Sequence, residues 1–260
     1  MQGVEEALCS ASGGVLSLTG AGGKTSLMFH LARALSQAGK RVLITTTTKI
    51  LPPAAGQCGA LLVDADPEVV ARQAALRPGE EPVTAVSRCD PESGKLLGFA
   101  PEAIAFFRDC GRFDWIVVEA DGSARRPLKA HAPHEPVIPS CSTVLVAVAG
   151  LEVLGRPLDE EWVFRHELAA PLMGMAAGET IDAAAITRLI VHPAGLFTGA
   201  PENVRRFLFL NQADTPQRLA HAAQIAAAVR GEAPSVAEAL LVGQALNGVT
   251  LHALYPMGAS

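Results

Sequence analysis

Val15-Leu16-Ser17-Leu18-Thr19-Gly20-Ala21-Gly22-Gly23-Lys24-Thr25-Ser26-Leu27 runs from an apolar stretch through a glycine-rich turn into an amphipathic one. The glycines let the backbone curl with its N–H groups pointing inward and bring it close to an anion with no Cβ in the way. The helix predicted from Thr25 to Gln37 carries Leu27, Met28, Leu31, Ala34 and Leu35, so one face packs down while its N-terminus aims at the anion. In that geometry Gly20, Ala21, Gly22, Gly23 and Ser26 cradle phosphates. Lys24 reaches the β- and γ-phosphate oxygens as a catalytic cation, and the Thr25 hydroxyl sits on Mg²⁺. Leu18 stands where the full G-x-x-x-x-G-K-[ST] pattern has glycine, which leaves a shortened form of the kind found in nucleotide-dependent ligases. The alternative is an ordinary strand-to-helix turn with a solvated lysine. Strand, turn, Lys-Thr and helix arriving in this order favour the phosphate loop.

Downstream, Arg41-Val42-Leu43-Ile44 reads as a buried strand of the parallel kind, ending in Thr45-Thr46-Thr47-Thr48-Lys49. Ligands of open α/β sheets bind at the carboxyl ends of strands, so Thr47, Thr48 and Lys49 are expected beside the phosphate loop. A second buried strand, Trp115-Ile116-Val117-Val118, delivers Glu119-Ala120-Asp121-Gly122. Acidic residues at such a strand tip hold Mg²⁺ directly or through water, and Glu119 and Asp121 are the expected metal and catalytic carboxylates. Asp-Gly is also an ordinary turn. The next stretch, Ala124 to Pro136, is polar and proline-rich, and Arg125 to Glu135 reads as an exposed, mobile loop that orders on binding. Arg125, Lys129, His134 and Glu135 are its candidates for meeting substrate or partner. A metal on His131, His134 and Glu135 is the less favoured alternative, because the spacing falls on a proline-broken loop.

A later strand, Arg205 to Leu210, ends in Asn211-Gln212-Ala213-Asp214. This resembles the N-K-x-D base-recognition motif of GTPases, with Gln212 in the lysine position. An aspartate accepts both N1–H and N2–H₂ of guanine, so Asn211 and Asp214 are candidate base contacts. Asp214-Thr215-Pro216 also reads as the cap and first turn of a helix to about Arg230; the two roles are compatible.

Between these elements lie a third buried strand at Val144–Val148, helices over Asp159–Met173 and Asp182–Leu189, and tail strands near Ala239–Val242 and Val249–Leu254. Pro82–Val86 and Leu96–Phe99 look like short strands around the turn Asp90-Pro91-Glu92-Ser93-Gly94, a small β excursion at about 80–100. The fold class is therefore α/β: one P-loop NTPase-like domain over 1–260, with a mostly parallel sheet flanked by helices.

With 260 residues and 49% hydrophobic content the chain can bury a large core. Its net charge is −5, and no run of Lys or Arg forms a stripe along a phosphate backbone, so nucleic acid is not the expected partner. Cys9, Cys58, Cys89, Cys110 and Cys141 form no C-x-x-C pair and fit neither a disulfide framework nor a zinc site. Glu5 and Glu6 stand where a signal peptide has basic residues, and no apolar run approaches the roughly 18 residues of a membrane span. A soluble, cytoplasmic protein is expected, with no membrane partner.

Taken in order, Leu18 to Leu27, the Thr45–Lys49 run, Glu119-Ala120-Asp121-Gly122, Lys129, His134-Glu135-Pro136-Val137-Ile138-Pro139 and the Asn-x-x-Asp strand end resemble the YqeC family over most of the chain. The resemblance implies an accessory protein for selenium-dependent molybdenum hydroxylases, and with it a protein client: the hydroxylase or its maturation machinery. More distantly, the order of elements is similar to metallochaperone GTPases. The first functional expectation is thus a Mg²⁺-dependent GTPase or ATPase driving a maturation step. An ATP-dependent ligase or kinase acting on a small acid, and a nucleotide-binding adaptor without turnover, stand beside it.

Overall fold

The computed structural model describes residues 3–77, 79–245 and 248–258. Its centre is a nine-stranded sheet: β1 (Gly14–Gly20), β2 (Val42–Thr46), β3 (Ala60–Val63), β4 (Val83–Val86), β5 (Trp115–Glu119), β6 (Val144–Gly150), β7 (Arg205–Asn211), β8 (Ala239–Gln244) and β9 (Thr250–Pro256). The spatial order is β9-β8-β7-β6-β1-β5-β2-β4-β3, parallel throughout except that β9 runs antiparallel to β8. This is an α/β architecture with a mostly parallel sheet flanked by helices, consistent with a P-loop NTPase-like fold.

Both faces of the sheet are covered, which is why its strands are continuous apolar runs. Residues alternate between the faces with period two. On β5, Val117 points to the side of α1 (Val4–Leu8) and α2 (Lys24–Gln37), where Leu27, Met28, Leu31 and Leu35 pack over Leu16, Leu18, Ile44 and Val146. Ile116 and Val118 point to the other face, against Val70 of α3 (Pro67–Ala75) and Ile104 and Phe107 of α4 (Pro101–Asp109). Farther along that face, α6 (Ala183–Val191) and α7 (Pro216–Glu232) bury Ile186, Leu189, Ile190, Ile225 and Val229 over Leu145, Leu208, Leu210 and Leu240.

Topology fixes where a ligand can sit. The chain leaves β1 for β2 on one side and leaves β6 for β7 on the other, so the carboxyl ends of neighbouring β1 and β6 bound the crevice at the switch point. Register brings the strand tips level: Gly20 pairs with Val148, Leu18 with Glu119, Thr46 with Glu119, and Gly150 with Asn211.

Two expectations change. Val83–Val86 is not part of the excursion: it pairs with β2 inside the main sheet, and the small antiparallel sheet is formed by Lys49–Ile50, Leu96–Leu97 and Arg88–Cys89. The helix expected from Asp159 begins only at His166, as α5 (His166–Met173). Asp159 Oδ1 accepts the backbone N–H groups of Glu161 and Trp162, which turns the chain, and Val163–Phe164 pairs with Leu128–Lys129. All five cysteines are free thiols, and no helix among the described residues is long and apolar enough to cross a membrane.

Candidate functional site

The Gly20–Thr25 turn connects β1 directly to α2. Gly20, Gly22 and Gly23 have φ of 89°, 80° and 126°, a region that strongly favours glycine. Space enforces the same choice. A Cβ on Gly22 would lie 2.5 Å from the carbonyl oxygen of Pro127, and one on Gly23 would lie 2.1 Å from Asn211 Nδ2. Neighbouring strand ends hold the turn: Ala21 N–H donates to Val148 O at 2.9 Å, and Asn211 Nδ2 donates to Gly22 O. Asn211 thus touches the turn itself.

Beneath the turn lies a buried ionic cluster centred on Asp121, which has no exposed surface. Oδ2 accepts the N–H of Gly20 at 2.9 Å and lies 2.9 Å from His131 Nε2 and 3.0 Å from Lys129 Nζ; Oδ1 lies 3.1 Å from Lys24 Nζ. Burial pushes the Asp121 carboxyl up, but Lys24, the His131 hydrogen bond and Lys129 outweigh it and hold the group well below the ordinary carboxylate range. Glu119 differs. Burial dominates, only partly offset by Lys24 at 3.9 Å and by the Thr25 hydroxyl, which donates to Oε2 at 2.8 Å; its carboxyl is raised. Of the two acidic residues, Glu119 meets Thr25, whereas Asp121 is engaged by the turn and by three side-chain bases.

Lys24 is not a solvated lysine. It is 2% exposed and also donates to Gly20 O. Lys129, expected on a mobile and exposed loop, is fully buried and bridges Asp121 to Glu135, with Nζ 2.8 Å from Glu135 Oε2. Glu135 is held low against the effect of burial by hydrogen bonds from Arg165 and Lys129. The cause lies in the segment expected to be helical. Pairing of Val163–Phe164 with Leu128–Lys129 buries Leu128 to Ala132 and brings Arg165 onto Glu135. Arg125 and His134 remain exposed. Thr47 donates its hydroxyl to Val137 O at 2.7 Å, Thr48 lies against Thr46, and Lys49 pairs with Asp90 at 3.4 Å. Among the described residues no group of three or more His, Cys, Asp or Glu is arranged to hold a metal by itself.

On the other flank, Thr215 supplies the cap of α7, accepting from Arg218 N at 3.2 Å. Asp214 is therefore not the cap; it carries an ion pair to Arg218. Gln212, at φ 62°, donates to Glu152 Oε2 at 3.0 Å. One open cavity of about 1030 Å³ joins these parts. Gly22 to Ser26, Glu119, Glu152, Asn211, Gln212 and Asp214 line it, together with Lys49 and Gly122 to Pro127. Sequence reasoning missed Glu152, Arg165 and Arg218, which join the site only through the fold.

The sequence model described as YqeC protein matches residues 16–167. The chain belongs to the YqeC family. It is similar to a protein of Escherichia coli (strain K12) whose name is "Uncharacterized protein YqeC": 38% of residues are identical over 202, which is 76% of this chain and 75% of that relative. In this YqeC chain the matched stretch spans the glycine turn, the Glu119–Asp121 strand tip, the Lys129–Glu135 segment and Arg165, so the whole ionic cluster lies inside residues 16–167.

Proposed function

We propose that this protein binds a nucleoside triphosphate with Mg²⁺ at the Gly20–Thr25 turn, hydrolyses GTP or ATP there, and serves as an accessory or maturation factor for a molybdenum hydroxylase. One observation carries the nucleotide reading: a single cavity contains the glycine turn, the Thr25–Glu119 pair and the Asn211–Asp214 strand end. The backbone of Gly22 to Thr25 and the N-terminus of α2 suit phosphates. Thr25 and Glu119 supply oxygen donors, the kind Mg²⁺ takes alongside phosphate oxygens and water. Bound there, Mg²⁺ would neutralise charge on the phosphates. Lys24 would exchange Asp121 for phosphate oxygens, while Lys129 and His131 keep Asp121 paired and the turn anchored. Asp214 Oδ2 is the acceptor available to a guanine edge beside the Arg218 pair. The client rests on family membership.

Thermal-shift measurement with ATP, GTP, CTP and their diphosphates, with and without Mg²⁺, tests this. A ligand at 100 times its Kd adds about 2.7 kcal/mol, a rise of roughly 5–11 °C for a chain of this size. No rise with any triphosphate refutes nucleotide binding. The accessory role predicts that a molybdenum hydroxylase or its maturation machinery accelerates phosphate release; unchanged turnover refutes that part.

A further inference from the structure

The cavity is larger than its nucleotide-directed parts, and its two flanks differ in chemistry. At about 1030 Å³ it reaches the upper end of the ~300–1,000 Å³ that single-ligand pockets span. Sheet order separates the flanks. Asn211, Asp214 and Gln244 come from the ends of β7 and β8 on one side of β1, whereas Lys49 follows β2 and Arg125 follows β5 on the other. Cations reach the cavity from that second side: Lys49, Lys95, which precedes the strand paired with Lys49–Ile50, and Arg125 all line the cavity, in a protein whose net charge is −5. Lys49 pairs with Asp90 at 3.4 Å, and among the described residues Lys95 and Arg125 have no ion pair.

Backbone conformation points the same way. Ala124 and Arg125 have φ of 48° and 62°, two successive non-glycine residues in the left-handed region immediately after Asp121-Gly122. Such residues cost free energy unless their surroundings hold them, and they concentrate at ligand clamps. Here the hold is visible: Arg126 N–H donates to Ser123 O at 2.8 Å, its guanidinium donates to Glu160 O, and Pro127 O accepts the N–H of Gly150 at 2.8 Å. Arg125 is left projecting from an anchored turn, exposed and at the cavity wall.

We infer that this flank binds a second ligand beside the nucleotide, a small acid presenting a phosphate or carboxylate group to Arg125, Lys95 and Lys49. The inference rests on the nucleotide reading and names the substrate class of the same cavity. Arg125 supplies a planar fork for two oxygens, and the lysines supply point charges around it. A ligand so placed lies on the Glu119–Gly122 side of the turn, next to the end of the phosphate chain, as a co-substrate requires.

The full-length protein is loaded with Mg²⁺ and a saturating non-hydrolysable ATP or GTP analogue, then titrated with inorganic phosphate and, separately, succinate by calorimetry. Phosphate binding identifies a phosphorylated acid, succinate binding a carboxylic one, and either supports the site. Lys95→Ala/Arg125→Ala should weaken that binding tenfold or more while the analogue's affinity stays within twofold. No binding of either anion to the loaded wild type, or equal binding to the variant, overturns the inference. If neither analogue binds, the nucleotide reading fails by itself, and the same titration on free protein decides the cationic flank: loss in the variant keeps it, and no binding ends it.

Discussion

Replacing Asp121 by alanine should destabilise the protein far more than replacing Glu119, although both stand at the tip of one strand. Asp121 has no exposed surface and is the shared counter-charge of Lys24 and Lys129, which are 2% and 0% exposed, and it also accepts the Gly20 N–H. Asp121→Ala leaves two buried ammonium groups without it, and Lys129 keeps Glu135 as its counter-charge and the hydrogen bond to Gly122 O. Breaking a buried pair by removing one partner costs about 3–5 kcal/mol, a large part of the roughly 5–15 kcal/mol that holds a typical domain. For a chain this long each kcal/mol lowers Tm by about 2–4 °C, so the loss is roughly 6–20 °C. Glu119→Ala leaves Lys24 its closer partner and removes one hydrogen bond, from Thr25, at about 1 kcal/mol. Thermal unfolding of both variants at pH 7, with urea unfolding to convert the shift into free energy, makes the comparison. The pH dependence has a definite sign. The native carboxyl lies below its ordinary 3.8, so its stabilisation is complete above that value and is lost as pH falls toward the depressed native value. Wild type should therefore lose stability below about pH 4 more steeply than Asp121→Ala. An Asp121→Ala protein that melts within 2 °C of wild type would show that the buried cluster does not hold the turn.

Gly23→Ala should cut triphosphate affinity tenfold or more, since its Cβ would meet Asn211 Nδ2 at 2.1 Å with φ at 126°; Gly39→Ala, also at positive φ but with open space, should bind as wild type, and equal binding by both variants refutes the packing argument. Glu119 is raised above its ordinary 4.5, so in the metal-free protein it adds stability at low pH that is lost as pH rises through the raised value. If Mg²⁺ takes the ionised form, binding should release protons and tighten with rising pH over that window; calorimetry in two buffers of different ionisation enthalpy reads this, and no proton release counts against Glu119 as a ligand. Asp214→Asn should lose GTP and gain XTP, because asparagine presents a donor where xanthine carries a carbonyl. Thr215 caps α7, so little change in Tm is expected, and unchanged affinity for both nucleotides removes Asp214 from base recognition.

The order of chemical elements was legible in the chain because each rests on local rules. Glycines at positive φ, a Lys-Thr pair opening an amphipathic helix, and acidic residues closing an apolar strand are properties of a few neighbouring residues, and runs such as Trp115–Val118 and Val144–Val148 announce strands buried on both faces. Which residues meet was decided only by the sheet. Strand order and register set Glu119 level with Leu18, and so beside Thr25, while Asp121, two residues on, falls beneath Gly20; no spacing in the sequence separates their roles. Asp159 to Arg165 shows the same limit from the other direction. Its local pattern suits a helix, but an Asx turn and pairing with Leu128–Lys129 prevail, and that pairing carries Arg165 to Glu135 across 30 residues. The physical reason is one of range. Backbone conformation answers to neighbours a few residues away, whereas the burial of Lys24, Lys129 and Asp121 depends on several distant segments closing over them, and the charge each carries there is stabilised only by partners that folding brings into reach.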